Sequence, residues 1–357
     1  SYEELQDLDK KTMGSLEFTS DGLEAAKEKI EKDITPEFIT TDNITTLKES
    51  FLDEDYDSIL IENSMLALIN ESDNTFIDQY KVIYEFSIDV ETEDIANEVD
   101  ITKDAFNIFV SGIDTYGSVS SVSRSDVNMV ITVNPNTHKV LITSIPRDYY
   151  VTLASKNAKD KLTHAGIYGI EESVATVENL LNIKINYYVK VNFTSLMDIV
   201  DALGGVNVYS KYSFTSKDGY YYNQGYNNVD GKKALSFVRE RSAFSEGDRT
   251  RVENQAAMIE ALINKAISPT IITKYTSLLS ALDGSFITNI NTEDLTDFIK
   301  MQIDEMPEWT IENISLNGSD AFDYTYSYGG TKLYVMLPDN ETVINATTKI
   351  NEILKEE

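Results

Sequence analysis

SRSDVNMVITVNPNTHKVLITSIPRDYYV, residues 123–151, decides how the fold is read. VNMVITV and KVLITSI are apolar almost throughout, the pattern of strands buried on both faces. Asn134-Pro135-Asn136-Thr137 between them is turn chemistry, so the two runs form a β-hairpin. Pro146 ends the second strand because it has no N–H to give the ladder. If Val133 pairs with Val140, the same register puts Arg147 opposite Asp126, and Arg124 shares the face of Asp126 by the period of two. Two arginines and a carboxylate gather at the end of the hairpin away from its turn.

Moving outward, AFNIFVSGID reads as a preceding strand ending at Gly112, and from Ala105 onward strands and helices alternate. That alternation predicts an α/β/α sandwich around a central mixed sheet. The first hundred residues read differently. They hold 28 Asp+Glu against 7 Lys, whereas residues 101–250 hold 15 acidic against 16 basic residues. A shift of this size suggests a boundary: a small acidic α+β domain over 1–98 and a larger domain over 99–357, its motifs within 105–264 and its completion within 265–357. In the acidic part, helices are expected at Asp21–Lys32 and Ser58–Asn70, and KVIYEFSIDVE from Lys81 alternates like a half-buried strand.

Arginine is the scarce residue: of 30 Lys+Arg only six are Arg, all between Arg124 and Arg251. The other four cluster again downstream. In ALSFVRERS, Leu235, Phe237, Arg239 and Arg241 share one parity, which predicts a strand ending in two guanidinium groups. TRVENQAAMIEALINKA follows as an amphipathic helix with Thr250 and Glu253 as its capping box. Arg251 and Gln255 lie one turn apart on one face, Arg251 in the first turn, where backbone N–H groups favour an anion. Guanidinium is a planar fork of donors matched to phosphate oxygens, so Arg124, Arg147, Arg239, Arg241, Arg251, Gln255 and the nearby Lys161 are read as a phosphate site. Carboxylates beside phosphate repel it unless a divalent cation joins them. Asp114 and Asp126 are therefore the candidate ligands for Mg2+, which takes one or two carboxylates and leaves the rest to phosphate and water. Asp148 reads as the residue that orients Arg147.

Composition narrows the alternatives. A net charge of -30 and the lack of a basic recognition helix disfavour nucleic acid. No cysteine is present, so thiolate metal sites and thiol nucleophiles are excluded. Of two histidines, His138 sits in the hairpin turn and reads as solvated, while His164 reads as a hydrogen-bonding residue near the site rather than a general base. No phosphate-binding P-loop motif occurs, and Gly204-Gly205 reads as a helix stop. The tyrosine-rich DGYYYNQGYNN reads as a surface loop with the capacity to stack on sugar. No run of residues is long and apolar enough to span a membrane. The start at Ser1 suggests a fragment whose signal or anchor has been removed.

Taken with KDKLTHAGIYGIEESVATVENLLNIKINYYVKVNFTSLMDIVDALGGVNV and GKKALSFVRERSAFSEGDRTRVENQ, the opening stretch resembles the LytR-CpsA-Psr family, especially its CpsA-like members with an accessory domain. SYGGTKLYVMLPD resembles the end of the same domain. The resemblance implies an extracellular enzyme of Gram-positive cells, held by a transmembrane helix upstream of these residues. It implies transfer of a phosphoglycan, capsular or teichoic-acid-like, from undecaprenyl pyrophosphate to peptidoglycan. Asp114 and Asp126 would hold Mg2+, with Mn2+ as a substitute. Arg124, Arg147 and Asp126 would act at the reacting phosphate, and the other arginines and Gln255 would bind its oxygens. Tyr116 stands where many members carry arginine, which puts a phosphate contact from that loop in doubt. The apolar stripes of SVATVENLL, TSLMDIVDAL and AAMIEALINKAI are candidates for a prenyl groove. A pyrophosphatase, or a lipid-binding regulatory module without catalysis, uses the same residues and stays open at this point.

Overall fold

The structure is a computed structural model that describes all residues except 1, 18–20, 89–96, 98, 118, 246, 269–281, 283 and 357. The acidic region forms β1 (Thr12–Leu16), α1 (Asp21–Ile30), β2 (Glu37–Thr41), α2 (Ile44–Leu52), β3 (Ser58–Ile59) and α3 (Asn63–Ser72). Its three strands make a parallel sheet in the order β2-β1-β3. Asn43 starts α2 by accepting a hydrogen bond from Thr46 N at 2.9 Å. Ile44, Leu47, Met65, Leu68, Ile69 and Phe76 then close a core over Leu16 and Tyr56.

Two expectations for this region fail. The helix expected from Ser58 begins only at Asn63, because Ser58 and Ile59 first pair with β1. Residues 81–88 form no strand, and residues 89–91 lie outside the described set. Val82 and Tyr84, expected to face inward, are 58% and 44% exposed; Phe86 of the same parity does pack, but so does Ile83 of the other. Alternation specifies a half-buried surface, but a strand also needs a hydrogen-bonding neighbour.

The larger region is built on β4 (Phe106–Ile113), β5 (Ser125–Asn134) and β6 (Lys139–Ile145). After them come the small hairpin β7 (Tyr150–Thr152) and β8 (Lys159–Lys161), the short α4 (Leu162–Ala165) and α5 (Ile170–Leu181). Next are β9 (Tyr187–Val191), α6 (Phe193–Ala202), β10 (Val206–Ser210), β11 (Phe214–Thr215), β12 (Tyr221–Tyr222) and β13 (Gly225–Val229). The chain continues through α7 (Gly231–Arg239), α8 (Asp248–Ala266), β14 (Ile287–Thr288) and α9 (Thr292–Glu305). It ends with β15 (Thr310–Ser315), β16 (Gly318–Asp323), β17 (Leu333–Pro338) and α10 (Asn340–Lys355).

The central sheet runs β14-β9-β4-β5-β6-β15, antiparallel at β4-β5-β6 and parallel at β4-β9 and β6-β15. One face buries Phe109, Val130 and Leu141 under α5 and α10; the other buries Val110, Met129, Ile131 and Ile142 under α8 and α9. Both faces of the hairpin are covered, which is why its sequence is apolar without alternation. The expected three-layer sandwich is present. A third cluster, from α6, α7, α8 and the β10–β13 strands, packs at its side.

Three further readings change. ALSFVRERS is helical through Arg239, not a strand: Asp230 Oδ1 caps α7 at Lys233 N, and Ala234, Leu235, Phe237 and Val238 are buried with helical spacing. α8 starts at Asp248 behind Gly247 (φ 39°), so Thr250 lies inside the helix and caps nothing. The tyrosine-rich loop is partly strand, in β12 and β13. Gly204 and Gly205, at φ 73° and 87°, end the turn after α6 as expected. His138 is less solvated than expected, with its ring 5.4 Å from Trp309, edge to face.

Candidate active site

The expected hairpin register holds, with Val133 opposite Val140. Past the last ladder pair, Arg147 Nη1 donates to Asp126 Oδ2 at 2.8 Å, and Thr163 Oγ1 donates to Oδ1 at 3.0 Å. Arg147 Nε lies 3.5 Å from Asp148 Oδ2, and Lys161 Nζ donates to Asp148 Oδ1 at 3.0 Å. Charges therefore alternate from Asp126 through Arg147 and Asp148 to Lys161. Arg124, Arg147 and Lys161 line a cavity of about 180 Å³ with Thr163 and His164. Leu68 and Ser72 from α3, and Leu333 and Tyr334 from β17, close its other side.

The segment carrying Lys161 and Thr163 is fixed from behind. Fully buried Asp160 places Oδ1 2.5 Å from His164 Nδ1, and its Oδ2 accepts from Ser327 N at 2.7 Å. His164 is thus a hydrogen-bonding residue beside the site, as expected. Gly166 presses against the backbone of 123–125: a Cβ there would lie 2.6 Å from Ser123 O. Only glycine permits that approach, which holds the Arg124 segment against α4.

A second arm comes from α7 and α8. Arg239, exposed at the rim, stacks its guanidinium 4.4 Å from the centre of the Phe193 ring and donates to Tyr116 Oη at 3.3 Å. Tyr116 therefore orients Arg239. Glu240 is buried and accepts from Ser242 Oγ, Ala243 N and Lys217 N at 2.6–2.9 Å. With Glu240 held inward, Arg239 is left exposed and Arg241 half-buried. Asp248 Oδ1 lies 3.4 Å from Arg241 Nε and 2.9 Å from Arg251 Nη2. Gln255 is buried one turn beyond Arg251, and Arg249 is exposed.

The two arms feel each other's charge. Burial first, and then the Arg147 charge, push Arg241 below the ordinary arginine value. Burial also lowers Arg124, with Asp126 opposing and Arg147 adding. For Arg147 burial acts downward, but Asp126, Asp148 and Asp248 outweigh it and the group is raised. Arg147 Nε and Arg251 Nε and Nη2 are buried and make no well-directed hydrogen bond among the described residues, although Arg147 Nε and Arg251 Nη2 lie within ion-pair distance of Asp148 and Asp248. A buried donor left unsatisfied costs about 1–3 kcal/mol, more when charged, so these nitrogens are held ready for an acceptor that arrives from outside.

Asp114 bears on the cation. Its side chain is accessible at the rim, yet crowding by the surrounding protein and then the charge of Asp126 raise its pKa, with Arg239 and Arg147 opposing. A carboxylate that feels the charge of a second one is stabilised by a divalent cation between the two. Among the described residues no cluster of three or more His, Asp or Glu is arranged to hold a metal by itself. The pair fits Mg2+, which completes its shell with phosphate and water, and not a closed protein cage.

Asp126, Arg147, Arg124, Lys161, Arg241 and Asp114 are thus coupled as the sequence suggested, while Arg239 joins through Tyr116 and Arg251 through Asp248. Asp248, Thr163, Glu240 and Phe193 were missed. Only Asp248 left a signal, three residues ahead of Arg251 on a helix. The apolar stripes of α5, α6 and α8 pack into three core clusters.

Fold and site together define an α/β/α protein with an arginine-lined pocket for a phosphorylated ligand. Residues 69–349 match the LytR_cpsA_psr family, and the chain belongs to it. A Bacillus anthracis protein named polyisoprenyl-teichoic acid–peptidoglycan teichoic acid transferase TagU is 37% identical over 223 residues, 62% of this chain and 73% of that one. A Bacillus subtilis protein of the same name is 36% identical over 202 residues, 56% of this chain and 65% of its own. The crystal structure of Bacillus subtilis TagV superposes with a TM-score of 0.60 at 28% identity, covering 71% of this chain and 99% of that one. TagT bound to LI-WTA superposes at 0.58 with 25% identity, covering 74% and 96%.

Proposed function

We propose that this protein transfers a phosphoglycan from a polyprenyl-pyrophosphate carrier to peptidoglycan. The observation that carries the reading is the set of buried guanidinium nitrogens whose hydrogen bonding is incomplete, Arg147 Nε and Arg251 Nε and Nη2, with Asp126 paired to Arg147 and Asp114 feeling the charge of both. Family membership and the transferase names of its relatives support it.

In the reaction, an acceptor hydroxyl oxygen forms a bond to the glycan-side phosphorus, and the bond from that phosphorus to the bridging oxygen breaks. The lipid leaves as a monophosphate, the glycan stays on peptidoglycan through a phosphodiester, and the hydroxyl proton passes to solvent. Catalysis is largely electrostatic. Arg147 and Arg124 face the charge that grows on the leaving oxygen, and Arg241 and Arg251 hold the remaining phosphate oxygens. Arg239, with its fork fixed by Phe193 and Tyr116, grips at the rim. Asp114 and Asp126 would hold Mg2+, which when bound neutralises phosphate charge. Asp148 and Asp248 position the arginines. Mn2+ is a substitute of the same chemistry. The donor glycan is capsular or teichoic-acid-like, and an anchoring helix upstream of these residues would hold the domain at the outer membrane face; no helix among the described residues is long and apolar enough to cross a membrane.

The test uses lipid-pyrophosphate-linked glycan and peptidoglycan, with Mg2+ or with chelator, and compares wild type with Asp126→Ala. Linked product that needs the cation and vanishes in the variant, while circular dichroism stays native, is the expected result. Free phosphorylated glycan in place of linked product would make the protein a pyrophosphatase, and binding without turnover would make it a lipid-binding module.

A further inference from the structure

A second cavity of about 540 Å³, within the range of small-ligand sites, opens between the β10–β13 pair, α8 and the edge strand β15. It lies on the other side of α8 from the anion site. Arg251 and Gln255 sit on one face of that helix, and the cavity residues Glu253, Ala257 and Glu260 fall on the opposite face by helical spacing.

Its wall carries two tyrosines that core burial does not explain, beside residues such as Ala256 that belong to the core. Tyr209 and Tyr226 pair directly across the two strands, their rings 5.3 Å apart at 74°. The inner face of the same pair buries Val206, Val208 and Val229, while the tyrosines remain 49% and 70% exposed. Core burial therefore accounts for the valines and not for the tyrosines. Facing them, Glu260 Oε2 accepts from Asn313 Nδ2 at 2.5 Å, and Glu253 pairs with Lys211 at 3.0 Å.

We propose that this groove binds the glycan strand of the peptidoglycan acceptor. Flat aromatic faces take the C–H face of a pyranose ring, and paired carboxylate and amide groups satisfy ring hydroxyls and N-acetyl amides. The charge selects acceptor over donor. Two carboxylates against one lysine, on a molecule of net charge -30, disfavour a polymer that carries phosphate. An uncharged, amide-bearing saccharide meets no such opposition. The acceptor assignment rests on the transferase reading, whereas saccharide binding itself does not.

The experiment titrates the protein with a soluble peptidoglycan tetrasaccharide whose lactyl carboxyls are amidated, so that it is uncharged, by calorimetry and without donor, and then measures transfer. Variants are Tyr209→Ala/Tyr226→Ala, Tyr209→Phe/Tyr226→Phe and Arg147→Ala. Removing both rings is expected to weaken saccharide binding and raise the acceptor KM about tenfold, with the donor KM unchanged. Phenylalanine keeps the stacking face and restores binding, and Arg147→Ala binds saccharide like wild type. No saccharide binding by wild type, equal binding by the alanine variant, or a change in donor KM instead of acceptor KM would each overturn the proposal. Because binding is scored without donor, a protein that binds but never transfers keeps the groove and loses the transferase reading. One that transfers with an unchanged acceptor KM in the alanine variant does the reverse.

Discussion

Residues 1–100 carry a net charge of -21 and residues 101–250 a net of +1, yet the second region holds the electrostatic machinery. In the first, ion pairs are isolated: Lys27 meets Glu24 three residues away, Lys81 meets Glu3 with both side chains more than half exposed, and the half-buried Lys48–Asp73 pair stands by itself among the described residues. Pairs of this kind contribute about 0–1 kcal/mol. In the second, Asp126 at 7% exposure and Arg147 at 16% lie in a chain of alternating charges, and Asp248 serves two arginines. The difference teaches that burial and sharing of charge, not its amount, make a site. The regions also meet: Ile167, Tyr168, Tyr328 and Leu333 pack into the core of the acidic part, and Thr45 Oγ1 donates to Tyr328 O at 2.8 Å.

The largest effect should come from breaking the buried chain. Arg147→Ala removes the partner of Asp126 and Asp148 and a donor to the growing charge, so kcat should fall by about a thousandfold. Steady-state kinetics beside a denaturation curve separates that from unfolding. On the acidic side, Phe76→Ala empties a fully buried site and should cost about 3–5 kcal/mol in chemical denaturation. If transfer then falls by less than the Arg147 change, the acidic part walls the cavity and does no chemistry.

A smaller effect is expected from Asp248→Asn, which leaves Arg241 and Arg251 without their shared counter-ion. The donor KM should rise about tenfold, as for loss of one charge-assisted contact. Burial already raises the Asp248 carboxyl, with Arg147 and Arg241 opposing, so the amide is accommodated without loss of fold.

The smallest effect concerns the shared core. Burial pushes the phenols of Tyr149 and Tyr222 up to about 12 from an ordinary 10.0, and that of Tyr168 upward as well. A folded value above the unfolded one gives stability that is full below pH 10 and lost as pH rises through about 12. Ultraviolet titration of tyrosinate, run beside circular dichroism, should show these phenols ionising only as structure is lost. Ionisation of every tyrosine near 10 in the intact fold would contradict the burial.

Much of this was legible in the chain. The β5–β6 hairpin was readable because an apolar run without alternation means burial on both faces, and its turn residues fix the register that brings Arg147 to Asp126. The candidate arginines were readable from their scarcity. ALSFVRERS was misread because a short apolar run fits both periods, and the deciding cap, Asp230, lies outside it. Residues 81–88 were misread because alternation cannot report that no strand lies alongside.

Sequence alone determined which residue types could hold phosphate, where the sheet lies and that the first hundred residues differ, because composition and period act locally along the chain. Tertiary structure decided the rest. That Asp248 bridges two arginines, that Tyr116 and Phe193 fix Arg239, and that Leu68 and Ser72 close the cavity all depend on segments distant in sequence meeting in space. Such contacts follow from packing, and packing is a property of the whole chain.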